Sequence, residues 1–265
     1  MDPEVTRNAA KEKLRQGQLV LGLSIRLTRT PEAAKIAKAT GHDFLFIDME
    51  HTGLSFETVV DMSVAALDTG ITPIVRVIGH DHWQASRVLD CGAMGVVVPH
   101  VDDAEQAQAA VNACKYPPTG HRSMSGGFPH FDFAPVPPGE AARIHNDNVL
   151  LAVMLETPRA IENADEIARL EGVDVLHIGT NDLLAEMGLH GQFEHPEVRA
   201  AYEKVISACE RHGKTAGLGG VRDLELCEKY LAMGFRFMTT HTDLAFLLAA
   251  ASERTRALRH AVAGQ

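Results

Sequence analysis

Eight short apolar runs recur along the chain, at 18–25, 44–48, 72–77, 95–99, 149–155, 173–178, 214–218 and 235–239. Those at 149–155 and 173–178 have the length and β-branched content of a strand buried on both faces of a parallel sheet. Between them, apolar residues fall three or four positions apart, which predicts helices over 31–40, 55–69, 81–90, 102–114, 196–212 and 224–233, and one more between 155 and 173. Stop and start signals agree with this division: Thr30-Pro31 opens the helix that Gly41 closes, Gly70 closes the next, and Asp81 can cap a third. A charged helix over 4–16 precedes the first strand, and a last helix over 243–262 closes the chain.

Parallel strands need crossover connections, and strand–helix alternation repeated eight times predicts a single (β/α)8 TIM barrel spanning residues 1–265. An open doubly wound sheet is the rival. It would carry a glycine-rich phosphate turn after an early strand, and the loops SIRLTRTP and DMEHTGLS have none. One stretch breaks the rhythm: 116–140 (YPPTGHRSMSGGFPHFDFAPVPPGE) is dense in Pro and Gly, as a lid or an interface would be.

In a barrel, chemistry sits at the carboxyl ends of the strands. The polar residues there are Asp48, Glu50, His51, Arg76, His100, Glu156 and Asp182. The run ending at Glu156 and the one leading to Gly179-Thr180-Asn181-Asp182 are parallel neighbours, so their two carboxylates come together. Such a pair repels unless a cation lies between, although each could instead cap the helix that follows it. Two oxygen ligands with open positions suit Mg2+ or Mn2+ chelating a 2-oxo acid, whose polarised carbonyl can form an enolate. His51 titrates in the range of a proton carrier, and Arg76 either neutralises an oxyanion or simply pairs with Asp48 or Glu50. Glu50 lies where it could orient an arginine or a bound water. Asn181-Asp182 resembles a helix cap whose amides would receive the substrate carboxylate. His100, His121 and His130 fit surface or lid positions, and the His80/His82 pair is weak evidence for zinc.

Composition narrows the class. With 45% hydrophobic and 23% charged residues the chain is an ordinary globular protein, and a formal charge of −10 without Lys/Arg clusters argues against a nucleic-acid partner. Cys91, Cys114, Cys209 and Cys227 lack CxxC spacing and suit reduced cytoplasmic thiols. The polar N-terminus does not resemble a signal peptide, and apolar runs such as 244–251 are too short for a bilayer, so no membrane is expected.

The motifs Asp48-Met49-Glu50-His51, Val75-Arg76-Val77, the stretch YPPTGHR at 116–122, Leu155-Glu156-Thr157 and Ile178-Gly179-Thr180-Asn181-Asp182-Leu183 resemble, in order and spacing, the metal-dependent HpcH/HpaI aldolases, the class II pyruvate aldolases. The resemblance runs from about Gly17 to Leu248. It implies a carbon–carbon lyase that makes or cleaves 4-hydroxy-2-oxo acids from a 2-oxo acid and an aldehyde through a metal-bound pyruvate enolate. Oxaloacetate decarboxylation and citramalyl- or malyl-type acyl-CoA cleavage are the alternatives. It further implies Glu156 and Asp182 as ligands of Mg2+ or Mn2+, with Co2+ able to substitute, and His51 as general base. Arg76 would steady the oxyanion, Asp48 and Glu50 would stand behind the site, and residues 179–182 would bind the substrate carboxylate. Asp90, in LDCG, would reach the histidine of a neighbouring subunit, in a hexamer built as a trimer of dimers with the last helix a candidate for exchange. Three departures stand out. Met154 replaces a glutamine that touches substrate; Thr180-Asn181 replaces Pro-Ala, adding side-chain polarity; and the loop 123–138, with Phe128, Phe131 and Phe133, could shape a pocket for a bulkier aldehyde.

Overall fold

The computed structural model describes residues 7–263. Eight parallel strands, β1 (Val20–Ile25), β2 (Phe44–Asp48), β3 (Thr72–Arg76), β4 (Gly95–Val98), β5 (Leu150–Leu155), β6 (Val175–Gly179), β7 (Thr215–Gly219) and β8 (Phe237–Thr242), close into a barrel in sequence order, β8 pairing back to β1. The helices are α1 (Ala9–Arg15), α2 (Glu32–Ala39), α3 (Phe56–Thr69), α4 (His82–Asp90), α5 (Ala104–Cys114), α6 (Pro138–Asn148), α7 (Pro158–Glu162), α8 (Ala164–Ala168), α9 (Thr180–Glu186), α10 (Pro196–His212), α11 (Leu224–Met233) and α12 (Asp243–Ala263). This is the TIM barrel that the apolar runs predict.

Local signals act as expected in most places. The Ser55 hydroxyl accepts the Thr58 amide at the start of α3, and Gly70, at φ 74°, turns the chain out of it. Three expectations fail. The crossover from β5 to β6 is two short helices broken at Asn163 rather than one. The irregular stretch gives way to α6 at Pro138, where Pro137-Pro138 starts a helix instead of prolonging a loop. The cap of α9 is Gly179, so Asn181-Asp182 lies in the first turn and not ahead of it. Part of the first predicted helix, 4–6, lies outside the described residues.

Two apolar layers hold the barrel. One, of Val, Ile, Leu and Ala, lies between sheet and helices. The other fills the interior with Val20, Phe44, Phe46, Ile74, Val97, Leu150, Ala152, Met154, Val175 and Phe237. Phe44 stacks on Phe237 at 4.6 Å, and this ring fits only because β1 carries Gly22 opposite: a Cβ there would come within 2.2 Å of it. Below, α1 plugs the amino-terminal mouth with Ala10 and Leu14. Its Asn8 amide donates to Met94 O at 2.9 Å, and Lys11 Nζ donates to Val149 O at 2.7 Å and pairs with Asp174 at 2.9 Å.

Going up β2, β3 and β5, the inward positions change from apolar to polar. Phe44 and Phe46 are followed by Asp48, Ile74 by Arg76, and Ala152 and Met154 by Glu156. A period of two therefore places the polar ends of different strands in one layer at the carboxyl mouth. Beyond β8, α12 leaves Leu247, Leu248, Leu258 and Val262 58–73% exposed. Beside its start runs an apolar groove lined by Leu23, Leu27, Ile36, Phe246 and Leu247. Among the described residues no helix is long and apolar enough to cross a membrane.

Candidate active site

The mouth is built on a buried ion pair. Asp48 is wholly buried, and Arg76, opposite it in register on β3, donates from Nε to Oδ1 at 3.0 Å and from Nη2 to Oδ2 at 2.7 Å. Amides of Glu50 and His51 also donate to Oδ1, and Arg26 Nε reaches Oδ2 at 3.2 Å. Burial would raise the Asp48 carboxyl, but the Arg76 bonds and charge outweigh it and hold the group below the usual range. With two edges fixed, Arg76 turns Nη1 to Glu50 Oε2 at 2.9 Å and to Met154 Sδ at 3.9 Å, its face over Phe46. Glu50 in turn lies 3.6 Å from Nε2 of the half-exposed His51. Asp48 thus contacts Arg76, and Glu50 lies between Arg76 and His51.

Glu156 is different, because no Lys or Arg pairs with it among the described residues. Its Oε2 accepts the backbone N–H of His100 at 2.8 Å, and burial pushes its carboxyl up to about 7, with the charges of Asp182 and Glu50 adding to the rise. The carboxylate lies against Gly179, where a Cβ would come within 2.5 Å of Oε1. Exposed Asp182 lines the same mouth. Among the described residues no three His, Cys, Asp or Glu side chains are gathered round one ion position.

His100 is exposed, as expected of a surface position, and its ring also reaches the site. Its left-handed backbone, φ 53°, folds the ring back so that Nδ1 lies 3.2 Å from Glu156 Oε2 and Nε2 3.3 Å from Glu50 Oε1. A cavity of about 230 Å³ opens in front of Arg76 and His51. Five of its polar lining side chains escaped the strand-end reading: Arg26 and Arg222, just beyond β1 and β7, and Ser24, Thr239 and His177 on the strands themselves. Burial drives the His177 ring down to about 3, so it stays neutral. Its signal was a polar residue at an inward position of the run VLHIG. Met154 lines the cavity as the sequence suggested.

Two expectations are corrected. The Thr180 side chain adds no polarity for substrate, since its hydroxyl is buried in a 2.8 Å bond with Tyr202; Asn181 keeps an exposed side chain. The loop 123–138 joins α5 to the start of α6 and so returns to the amino-terminal end of the barrel, where His130 Nε2 contacts Ala93 O at 3.0 Å. Phe128 and Phe131 pack there with Ala141, away from the mouth, and cannot shape this chain's own pocket. Asp90 lies at the same lower end, as the last residue of α4, held by Arg122 Nη2 at 2.6 Å.

Comparison with known proteins agrees with this geometry. The HpcH/HpaI aldolase/citrate lyase family model matches residues 26–250. The chain is 41% identical to a 4-hydroxy-4-methyl-2-oxoglutarate aldolase of Hapsidospora irregularis, over 93% of each chain. It is 34% identical to a 4-hydroxy-2-oxo-heptane-1,7-dioate aldolase of Escherichia coli, over 92% of each. The crystal structure of an HpcH/HpaI aldolase from Desulfitobacterium hafniense superposes with a TM-score of 0.89 at 30% identity, covering 94% of this chain and 96% of that one. An eight-stranded closed barrel, matched in sequence along nearly its whole length, makes this chain a member of the HpcH/HpaI aldolase family of carbon–carbon lyases.

Proposed function

We propose that this aldolase works on 4-hydroxy-2-oxo acids with Glu156 and Asp182 as the protein ligands of one divalent ion, Mg2+, Mn2+ or Co2+. The observation that carries the assignment is Glu156, a buried carboxyl without a Lys or Arg partner among the described residues, cradled against Gly179 and raised by the nearby charge of Asp182. Such a donor set fits a hard cation with positions left open for a chelating substrate. When bound, the ion supplies a Lewis acid for the 2-oxo carbonyl.

The chain's own groups do the rest. Arg76, locked by two bonds to Asp48, presents a preorganised cation to the oxygen on which negative charge grows. His51, half exposed at the rim and 3.6 Å from Glu50, takes the proton from the 4-hydroxyl in cleavage and returns it in condensation. The first-turn amides of α9, which lack partners within the helix, offer donors to the substrate carboxylate at 180–182, and Gly179 makes room for the Glu156 carboxylate beside them. Pyruvate release from 4-hydroxy-2-oxo acids is expected to stop in EDTA and to return with Mg2+ or Mn2+. Turnover that resists the chelator would overturn the assignment, and including oxaloacetate in the same assay tests decarboxylation by the same site.

We further propose that the chain, as one domain, works as a cytoplasmic homo-oligomer, a hexamer built as a trimer of dimers. Asp90 is at the end of the barrel opposite His51, so it can serve a histidine only in another subunit. The apolar face of α12 and the groove beside it would be covered by exchange of that helix. Light scattering checks this: a monomer with full turnover would refute it.

A further inference from the structure

The roles given to Arg76, His51, Glu156 and residues 180–182 leave one buried polar side chain of the cavity without a task. His177 stands on β6 level with Met154 of β5 and Gly217 of β7, and its ring, 2% exposed, lines the cavity. Strand β7 makes the space for it. A Cβ at Gly217 would come within 2.7 Å of Nδ1, and one at Gly219 within 2.8 Å of Nε2, so a side chain at either position would push the ring aside. The ring meets Phe237 of β8 edge-on at 5.5 Å. Its two nitrogens have different surroundings. Nδ1 is buried beside Gly217, where Val175 and Phe237 also pack, and has no hydrogen-bond partner among the described residues. Nε2 lies higher, beside Gly219, which itself lines the cavity. Burial, and then the charges of Arg76 and Arg222, keep the ring neutral, and a neutral imidazole has one proton to place. At Nδ1 that N–H would be stranded; at Nε2 a ligand can accept it. The proton therefore belongs on Nε2, and the ring is a fixed donor to the cavity.

We propose that His177 donates its Nε2–H to an oxygen of the 2-oxo acid half of the substrate, and so is a further substrate-contacting residue of this enzyme. Its place on the sheet selects that half. His177 is one inward position beneath Gly179, the glycine against which Glu156 lies, on the strand that leads into residues 180–182, whereas His51 stands half exposed at the rim. This inference rests on the aldolase reading above. No proton leaves the ring. It acts as an uncharged donor fixed in advance, which gains strength as charge develops on the oxygen it faces.

Calorimetric titration of the Mg2+-loaded enzyme with oxalate, a planar dianion shaped like the enolate of pyruvate, reads this contact without turnover. His177→Phe keeps an aromatic ring between Phe46 and Phe237 but removes the donor. With its folding checked by its melting temperature, it is expected to bind oxalate about 10- to 30-fold more weakly and to lose a similar factor in kcat/KM for pyruvate release. That factor should be the same from pH 6 to pH 9, because the lost donor does not titrate there, and His177→Gln, whose amide can donate, should recover part of it. Nitrogen NMR of the wild-type enzyme supplies a readout that needs no variant: His177 should show a protonated Nε2 and a bare Nδ1 throughout that range, with the Nε2–H signal moving when oxalate is added. Unchanged oxalate affinity in folded His177→Phe, a proton on Nδ1, or a loss confined to one end of the pH range would overturn the proposal. Wild-type enzyme that neither binds oxalate nor releases pyruvate from any 4-hydroxy-2-oxo acid would instead defeat the aldolase reading, and this contact with it.

Discussion

Replacing Glu156 by glutamine is expected to lower pyruvate release about 1000-fold and to remove divalent-metal binding in calorimetric titration, while the metal-free variant melts several degrees above the wild type at pH 8. The first effect follows from losing a charged ligand where several kcal/mol of transition-state stabilisation act. The second follows from burial. The folded carboxyl keeps its proton up to about 7 against an ordinary 4.5, whereas the unfolded one ionises earlier. Stability of the metal-free protein therefore declines as pH rises from about 4.5 to about 7, by about 3 kcal/mol in all. Glutamine never ionises, still accepts the His100 amide and fits the same space. Wild-type turnover in the variant would remove Glu156 from the mechanism, and an unchanged metal-free melting temperature would remove the buried-charge argument.

Acid should unfold the protein steeply below pH 6, and three histidines are the reason. Burial first of all lowers His130 to about 4, His145 to about 2 and His177 to about 3. Each stays neutral in the fold and takes a proton on unfolding. Their contribution is therefore complete above the ordinary 6.5 and is lost as pH falls from there toward these lower values. With all three engaged the slope approaches about 4 kcal/mol per pH unit, enough to exhaust the stability of a typical domain within about two to three units. His145 packs 4.6 Å from Phe128 and 5.2 Å from Phe131, an aromatic setting that a phenylalanine could share. His145→Phe should accordingly flatten the pH dependence of the melting temperature by about a third. A slope identical to the wild type would show that His145 is already protonated in the fold.

Most of the architecture could be read from residues because a strand buried on both faces must be apolar throughout, and strands such as β2 and β5 satisfy that without exception until the polar residue that ends them. That same terminal residue marked Asp48, Arg76 and Glu156. What stayed hidden has physical reasons. Arg222 is three residues past Gly219, outside any rule that inspects only strand ends, and belongs to the mouth because its guanidinium reaches back to Thr239. His100 was visible as a strand-end residue, but its contact with Glu156 depends on a left-handed backbone turn that its residue type alone does not announce. The position of the loop 123–138 follows from the parity of connections: every helix returns the chain to the lower end, so a long segment between α5 and α6 cannot cover the mouth of its own barrel.

Because Asp90 and His51 occupy opposite ends of one barrel, a working centre under the oligomeric proposal borrows from two chains. Damage would then be shared in an unusual way. A chain spoiled only at Asp90 and another spoiled only at His51, each inert in a pure assembly, would regain some centres when co-assembled, since a minority of pairings joins two sound halves. A cell carrying both alleles would show complementation within a single gene.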